Sequence, residues 1–327
     1  MKYIIPIVER LKRENRKILI FTHENPDADG IGSMLGLYHF LTKKGKNVTC
    51  AMKDDVPYIC NFLPGVEKIK KLPLEEEFDL AIVVDAVGAF RAGVEIKAKE
   101  IVRIDHHVGG KFESIDDYVN PFSPATTCLV AEILKYWDEN EIDGDIATCL
   151  YTGLLTDTGS FRYNNVTDRT FEVAKFLVSK GADPFYIAKM VYERNKPNVL
   201  YLLQKTLSTL ELFEDGKIAG LTVRRKFLEE TKTKEEDTEG FVNYARSIDG
   251  TEVGFIMIQK EDLVTWRISL RGKGNIDVQE IAKAFGGGGH KDAAGCRIVG
   301  KEEEVKQKLL NEIKKALEKN LVKMRNG

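Results

Sequence analysis

The apolar positions in the first half of the chain fall into two alternating spacings. Segment 3–13 has helical periodicity, and KILIFT (17–22) is then a continuous apolar run of strand length. GIGSMLGLYHFLTKKGK (30–46) returns to helical spacing and ends on Gly45. NVTCAM (47–52), FDLAIVVD (78–85) and IVRIDHH (101–107) are further short apolar runs. Such runs predict buried strands, and their alternation with helices predicts an α/β fold on a parallel sheet with helices on both faces. Residues 124–158 read as two helices, the second starting near Asp143 and carrying Asp157 near its end. Residues 167–211 read as helical, broken at GADP (181–184). The texture then changes to short strands (KIAGLTV, EVGFIMI, LVTWRISL), a glycine run at 286–289 and a charged amphipathic helix over 302–323. This division predicts a domain at 1–190, a helical linker at 191–211 and a smaller α/β domain at 212–327.

The polar positions matter most where the strands stop. Ligands of open α/β sheets bind outside the carboxyl ends of the strands. His23, Asp27 and Asp29 follow the first predicted strand, Asp85 ends the third, and Asp105, His106 and His107 end the fourth. Parallel neighbours would bring all three clusters to one rim. The four aspartates 27, 29, 85 and 157 would repel one another and any phosphate unless cations joined them. With His23 and His106 they form a donor set for two divalent metals. Carboxylate oxygen suits Mg²⁺ or Mn²⁺, imidazole draws the preference towards Mn²⁺ or a later metal, and the lack of paired thiolates argues against structural zinc. Asp85 is placed to bridge both ions. Two such ions ~3.5–4 Å apart can bind one phosphate, generate hydroxide at neutral pH and stabilise the leaving oxygen. Taken singly, Asp27 reads as a helix N-cap and each histidine as an ordinary residue; the combination on three strand ends carries the metal reading. His39 has no acidic neighbour and is not expected to be a ligand.

Composition narrows the partners. Lys and Arg total 49 against 51 Asp and Glu, a net charge of −2. No global basic field exists for coating a long duplex, although a local basic pocket remains open. No stretch approaches a membrane span, and the N-terminus lacks the apolar core of a signal peptide, which predicts a cytoplasmic protein without a membrane partner. Five cysteines without a CxxC pair predict buried free thiols in a reducing compartment. In LVTWRISLRGKGN (263–275), Thr265, Arg267, Ser269 and Arg271 face one way and Trp266, Ile268 and Leu270 the other. The first face suits phosphate. The following glycines suit close backbone approach to an anion or a base, or else a flexible turn. Arg103 and Arg162 are further candidates to reach phosphate.

The motif set HENPDADGIGS (23–33), lone strand-end Asp85, Asp105-His106-His107 and TDTG (156–159) resembles the successive motifs of the DHH phosphoesterase superfamily, over nearly the whole chain. The resemblance implies two Mn²⁺, with Mg²⁺ or Co²⁺ as substitutes. His23, Asp27 and Asp85 would hold one ion; Asp29, Asp85, His106 and Asp157 the other. It makes His107, Asp85 and Asp105 the catalytic group, His107 facing the substrate phosphate and Asp105 orienting a histidine. The stretch FGGGGHKDAAG (285–295) is similar to the DHH-associated C-terminal domain, whose motif binds nucleotide. By that similarity Arg267, Ser269, Arg271, Gly288, Gly289 and His290 grip the non-scissile end, with the active site in an interdomain cleft. It also separates the chain from family II pyrophosphatases. The Pro-Asp opening and Gly-Ser ending of NPDADGIGS resemble the nanoRNase branch, and its DADG centre the RecJ exonuclease branch. The implied substrates are dinucleotides and very short oligonucleotides: pApA, cyclic di-AMP, short RNA ends, and 3′-phosphoadenosine 5′-phosphate for a phosphatase activity. The alternatives are a RecJ-like 5′ exonuclease on single strands and a metal-dependent nucleotide-binding protein without turnover. Monomer and homodimer both fit.

Overall fold

The computed structural model describes residues 4–326, and the side chains of residues 4–320. The chain divides into two compact units between Arg194 and Asn195. In the first unit the elements run α1 (Ile5–Arg13), β1 (Lys17–Phe21), α2 (Ala28–Lys43), β2 (Asn47–Met52), β3 (Lys70–Lys71), β4 (Phe78–Val84), β5 (Ala98–Asp105), β6 (Tyr118–Val119), α3 (Thr126–Asp138), α4 (Gly144–Asp157), α5 (Asp168–Ser179) and α6 (Pro184–Tyr192). The six strands form one parallel sheet in the order β3-β2-β1-β4-β5-β6. Order reverses between β1 and β4, so a crevice opens beyond their carboxyl ends.

The buried strands explain the continuous apolar runs, because each side of the sheet has its own core. Ile18, Ile20, Leu80, Ile82, Val102 and Ile104 pack against the apolar faces of α1 to α4. Leu19, Phe21, Ala81 and Val83 pack on the opposite side against Leu72, Ala86, Ala89 and Ala92. That side is covered by connecting chain and the short 3₁₀ turn Ala89–Ala92, so the covering is less helical there than on the first face. Close contact between α2 and α4 is made possible by glycine. A Cβ on Gly32 would stand 2.4 Å from the Cys149 carbonyl oxygen, and one on Gly153 would stand 2.8 Å from the Asp29 carboxylate. This packing carries Asp157, the last residue of α4, to the strand-end rim.

The second unit contains α7 (Pro197–Leu207), β7 (Glu211–Phe213), β8 (Ile218–Val223), α8 (Arg225–Thr231), α9 (Val242–Arg246), β9 (Val253–Gln259), β10 (Thr265–Gly272), α10 (Val278–Lys283), β11 (Gly288–His290), β12 (Ala293–Val299) and α11 (Glu302–Asn326). Its sheet has the order β11-β12-β10-β9-β8-β7 and is antiparallel except between β8 and β9. One face, with Phe255, Met257, Trp266, Ile268 and Leu270, is closed by α10 and α11. On the other, Leu221, Ile256 and Ile258 pack against α7, α8 and α9. Among the described residues of this unit, none of the apolar groups that pack on that face covers its β10–β12–β11 end. Among the described residues, no helix is long and apolar enough to cross a membrane.

Two local readings change. The helical stretch expected after 167 is broken a second time at residues 193–196, where Pro197 starts α7 because it can sit only in a helix's first turn. The helix expected from Gly30 starts at Ala28, which puts Asp29 in its first turn.

Candidate metal centre and nucleotide-binding face

Asp85 leaves β4 in a left-handed conformation (φ +57°), uncommon for a residue with a side chain. Its carboxylate stands at the centre of the rim. Ligand atoms of His23, Asp27 and Asp85 lie within 4.8 Å of one another, as do those of Asp29, Asp85 and His106, and of Asp85, Asp105 and His107. His106 Nε2 is 3.6 Å from Asp85 Oδ1, 3.7 Å from Asp157 Oδ2 and 3.9 Å from Asp29 Oδ2. His23 Nε2 is 3.7 Å from Asp85 Oδ2. The four aspartates and two histidines expected as ligands are thus brought together from β1, α2, β4, β5 and α4.

Local structure fixes how each donor points. Asp27 is indeed the N-cap of α2: its Oδ1 accepts from the Asp29 and Gly30 backbone N–H groups at 3.0 and 3.1 Å. The cap uses one oxygen only, so capping and ligation are compatible. His23 Nδ1 meets the Glu24 carbonyl at 2.8 Å, and His106 Nδ1 meets the Ser123 carbonyl at 3.2 Å. A carbonyl accepts only from N–H, which fixes a proton on each Nδ1 and turns each Nε2 towards the carboxylates. The separations of 3.6–3.9 Å exceed hydrogen-bond length. Donors on one ion, each ~2.0–2.2 Å from it, stand ~3–4 Å apart.

The electrostatics agree. Burial and the charge of Asp85 push Asp29 up to about 7, and burial with the same repulsion raises Asp27. Burial raises Asp157 well above the carboxylate range despite His106. Burial opposes charge on His23 and His106, yet the neighbouring carboxylates win and hold both at about 9. Asp85 is held low against its burial by the three histidines around it. Without cations the crowding shifts Asp27, Asp29 and Asp157 towards their protonated forms; divalent cations would offset the same repulsion while leaving the carboxylates ionised. The donor set and its geometry fit divalent metal.

Asp105 works one step away. Its Oδ1 accepts from His107 Nδ1 at 2.6 Å and from the His107 backbone N–H at 3.2 Å. Its Oδ2 accepts from Arg103 Nε at 3.0 Å, and Arg103 Nη2 is also bonded to it. Arg103 further donates to the Ala86 and Gly109 carbonyls and is buried. The expectation that it reaches phosphate is corrected: its guanidinium is consumed by an internal ion pair and two loop carbonyls. Arg162 is exposed, with Nε donating to the Gly159 carbonyl at 2.7 Å. His39 Nε2 donates to the Pro64 carbonyl at 2.9 Å, away from the acidic cluster.

In the second unit the register places the other candidates on one face. Ser269 pairs with Gly295, which pairs with Gly288; Arg271 pairs with Ala293, which pairs with His290. The uncovered face thus carries a bare row, Ser269–Gly295–Gly288, beside Arg271–Ala293–His290. Part of the glycine run is therefore an edge strand, not a loose turn. Arg267 donates to Thr238 Oγ1 at 3.2 Å, while its Nε is buried without a hydrogen-bond partner. Directly opposite lies Arg297, an exposed arginine that sequence reading missed. Like charges directly opposed on one sheet face are destabilising. The available signal was period-two alternation in AAGCRIV, which puts Arg297 on the side of Gly295.

Comparison with known proteins places both halves. The DHH family N-terminal domain profile matches residues 17–154 and the DHHA1 domain profile matches residues 215–319. The chain is 31% identical over 318 residues to the bifunctional oligoribonuclease and PAP phosphatase NrnA of Thermus thermophilus, covering 95% of this chain and 93% of that one. It is 27% identical over 327 residues to the cyclic-di-AMP phosphodiesterase PdeA of Listeria monocytogenes, covering 91% of this chain and 47% of that one, so it spans about half of that relative. The crystal structure of an exopolyphosphatase-related protein from Bacteroides fragilis superposes with a TM-score of 0.88 at 28% identity, over 97% of this chain and 96% of that one. With strand-end motifs in one unit and the arginine and glycine rows in the other, this chain belongs to the DHH phosphoesterase superfamily.

Proposed function

We propose that the chain is a two-metal phosphodiesterase that hydrolyses very short nucleotides to mononucleotides, with pApA, cyclic di-AMP and short RNA as substrates, and that it also removes the 3′-phosphate from 3′-phosphoadenosine 5′-phosphate. The observation that carries the reading is the position of Asp85, whose carboxylate lies among both donor groups. His23, Asp27 and Asp85 hold one ion; Asp29, Asp85, His106 and Asp157 hold the other; Mn²⁺ suits this mixture of oxygen and imidazole. When bound, the ions supply Lewis acidity and a nucleophile at neutral pH.

The chain's own residues do the rest. Burial opposes charge on His107, but the hydrogen bond it donates to Asp105 holds its pKa above the ordinary value, which favours the charged form suited to facing a phosphate. Arg103 and the two loop carbonyls keep Asp105 in place for that task. Arg267, Ser269 and Arg271 bind the non-scissile phosphate, while Gly288, Gly289 and His290 let a base or ribose approach the backbone. The open face is a few strands wide and offers no extended track, which favours short substrates. Relatives named for oligoribonuclease, PAP phosphatase and cyclic-di-AMP phosphodiesterase activities support this range. All five cysteines are buried and free, as suits a reducing cytoplasm.

The test is product analysis with EDTA-stripped protein given Mn²⁺, on pApA, cyclic di-AMP, a short RNA ladder, 3′-phosphoadenosine 5′-phosphate and long single-stranded DNA. AMP release from pApA and other short substrates, with long DNA nearly untouched, is expected. Processive loss of long DNA would move the protein to exonuclease action, and no turnover on any substrate would leave only nucleotide binding.

A further inference from the structure

Segment Ser123–Thr127 joins β6 to α3 and contains none of the metal donors. It nonetheless contacts three of them, Asp29, Asp85 and His106, and is tied to the fourth, Asp157, through Asn165. The Thr126 backbone N–H donates to Asp29 Oδ2 at 2.6 Å, and the Thr127 N–H and Oγ1 donate to Asp29 Oδ1 at 2.9 and 2.7 Å. Thr126 Oγ1 donates to Asp85 Oδ1 at 2.9 Å. The Ser123 carbonyl meets His106 Nδ1. Asn165 Nδ2 donates to both the Pro124 and Asp157 carbonyls, at 3.0 and 3.1 Å, and so ties the segment to the end of α4. His23 and Asp27 take their contacts from Glu24, Asp29 and Gly30 instead.

The arrangement has a physical cause and a consequence. Helix α3 has Ala125 at its N-cap and no side-chain cap of its own. The first N–H groups of a helix need acceptors, and Asp29 supplies them from α2. The positive end of α3 in turn stabilises the Asp29 carboxylate. Both threonines are wholly buried, so their hydroxyls have no water to turn to. Consecutive residues of one rigid turn therefore hold carboxylates from two separate elements, which fixes the spacing between Asp29 and Asp85.

We propose that Ser123–Thr127 is a template for the metal position formed by Asp29, Asp85, His106 and Asp157, and that the Thr126 and Thr127 hydroxyls are positioning groups that set the affinity of that position and not of its neighbour. The proposal rests on the two-metal reading. A purely structural role, with Asp29 serving only to cap α3, makes a different prediction. Thr→Val substitution keeps the shape and the backbone N–H groups, and so keeps the cap, while deleting the hydroxyls.

The experiment is a Mn²⁺ titration of the EDTA-stripped full chain, with free Mn²⁺ read by electron paramagnetic resonance and no substrate present. Wild type, Thr126→Val/Thr127→Val and Thr126→Ser/Thr127→Ser are compared, with the two single Val variants carrying the test if the double does not fold. One of two sites is expected to weaken ~10–100-fold in the Val variants, the scale of losing groups that orient ligands. The other site keeps its affinity, and the Ser variant behaves as wild type. Unchanged affinities in a folded Val variant, equal weakening of both sites, or a Ser variant as weak as Val would each overturn the proposal. A wild type that takes up no Mn²⁺ would overturn the two-metal reading together with it.

Discussion

The strand-end rim of the first unit and the open sheet face of the second both gather groups suited to phosphate, but they are built in opposite ways. At the rim the charged groups are buried and crowded: Asp29, Asp85 and Asp105 are at most 2% exposed. At the sheet face Gly288, His290 and Arg297 are exposed, and the centre of the face is backbone. Burial raises the cost of misplacing a charge and rewards fixed geometry, which is what bond-breaking needs. An exposed face gives up that strength and gains tolerance for ligands that come and go. Glu14 sharpens the contrast. It is as buried as Asp85, yet hydrogen bonds from Arg16 and Arg10 overcome the burial and hold it down to about 2. Among the described residues, no arginine pairs with Asp27, Asp29, Asp85 or Asp157 in this way, whereas Arg103 pairs with Asp105.

The largest break in this comparison comes from Asp85→Asn. Its kcat on pApA is expected to fall by at least the ~10²–10³-fold that loss of one preorganised electrostatic group costs, with short-nucleotide binding retained in a filter assay. Next is Gly30→Ala. A Cβ there would stand 2.5 Å from Thr22 Oγ1 and 3.4 Å from Asp85 Oδ2. Overpacking of this kind costs ~1–3 kcal/mol, so both the thermal midpoint and kcat should drop. Arg267→Gln should raise KM ~10–100-fold, the worth of a charge-assisted hydrogen bond of ~1.5–3 kcal/mol, and leave kcat near wild type. Gly288→Ala is the structural opposite of Gly30→Ala, because nothing lies within 4 Å of a Cβ at that position. Its thermal midpoint should stay within the ~0.5 kcal/mol of an ordinary surface change, while KM rises if ligand approaches the backbone there. The smallest effect belongs to Arg297→Gln. A several-fold rise in KM and a shallower dependence of KM on salt are expected; a Gly288→Ala or Arg297→Gln enzyme with wild-type KM would remove that residue from the binding face.

Much of this was legible because the relevant signals are local. A turn, a cap and the start of a helix occupy eleven consecutive residues in HENPDADGIGS, and Asp105-His106-His107 ends its strand directly. The alternation in TWRISLRG gave the two faces of β10 without tertiary information. The remainder is written in packing. Thr126, Thr127 and Asn165 look like ordinary helix and loop residues until α3 and α4 are set against the sheet. The two-residue strands β3 and β6 exist only through pairing with longer neighbours. Arg103 was misjudged although a clue was present: residues two apart on a strand share a face, so Arg103 and Asp105 had to point the same way. The split of donors between two ions remains the proposal made above.

The most direct test of the division of labour is steady-state kinetics of Asp85→Asn and Arg267→Gln side by side on pApA in Mn²⁺. The account predicts that the first variant loses kcat with binding retained and the second loses KM with kcat retained. An Asp85→Asn enzyme that turns over at the wild-type rate, or an Arg267→Gln enzyme whose defect lies in kcat alone, would contradict it.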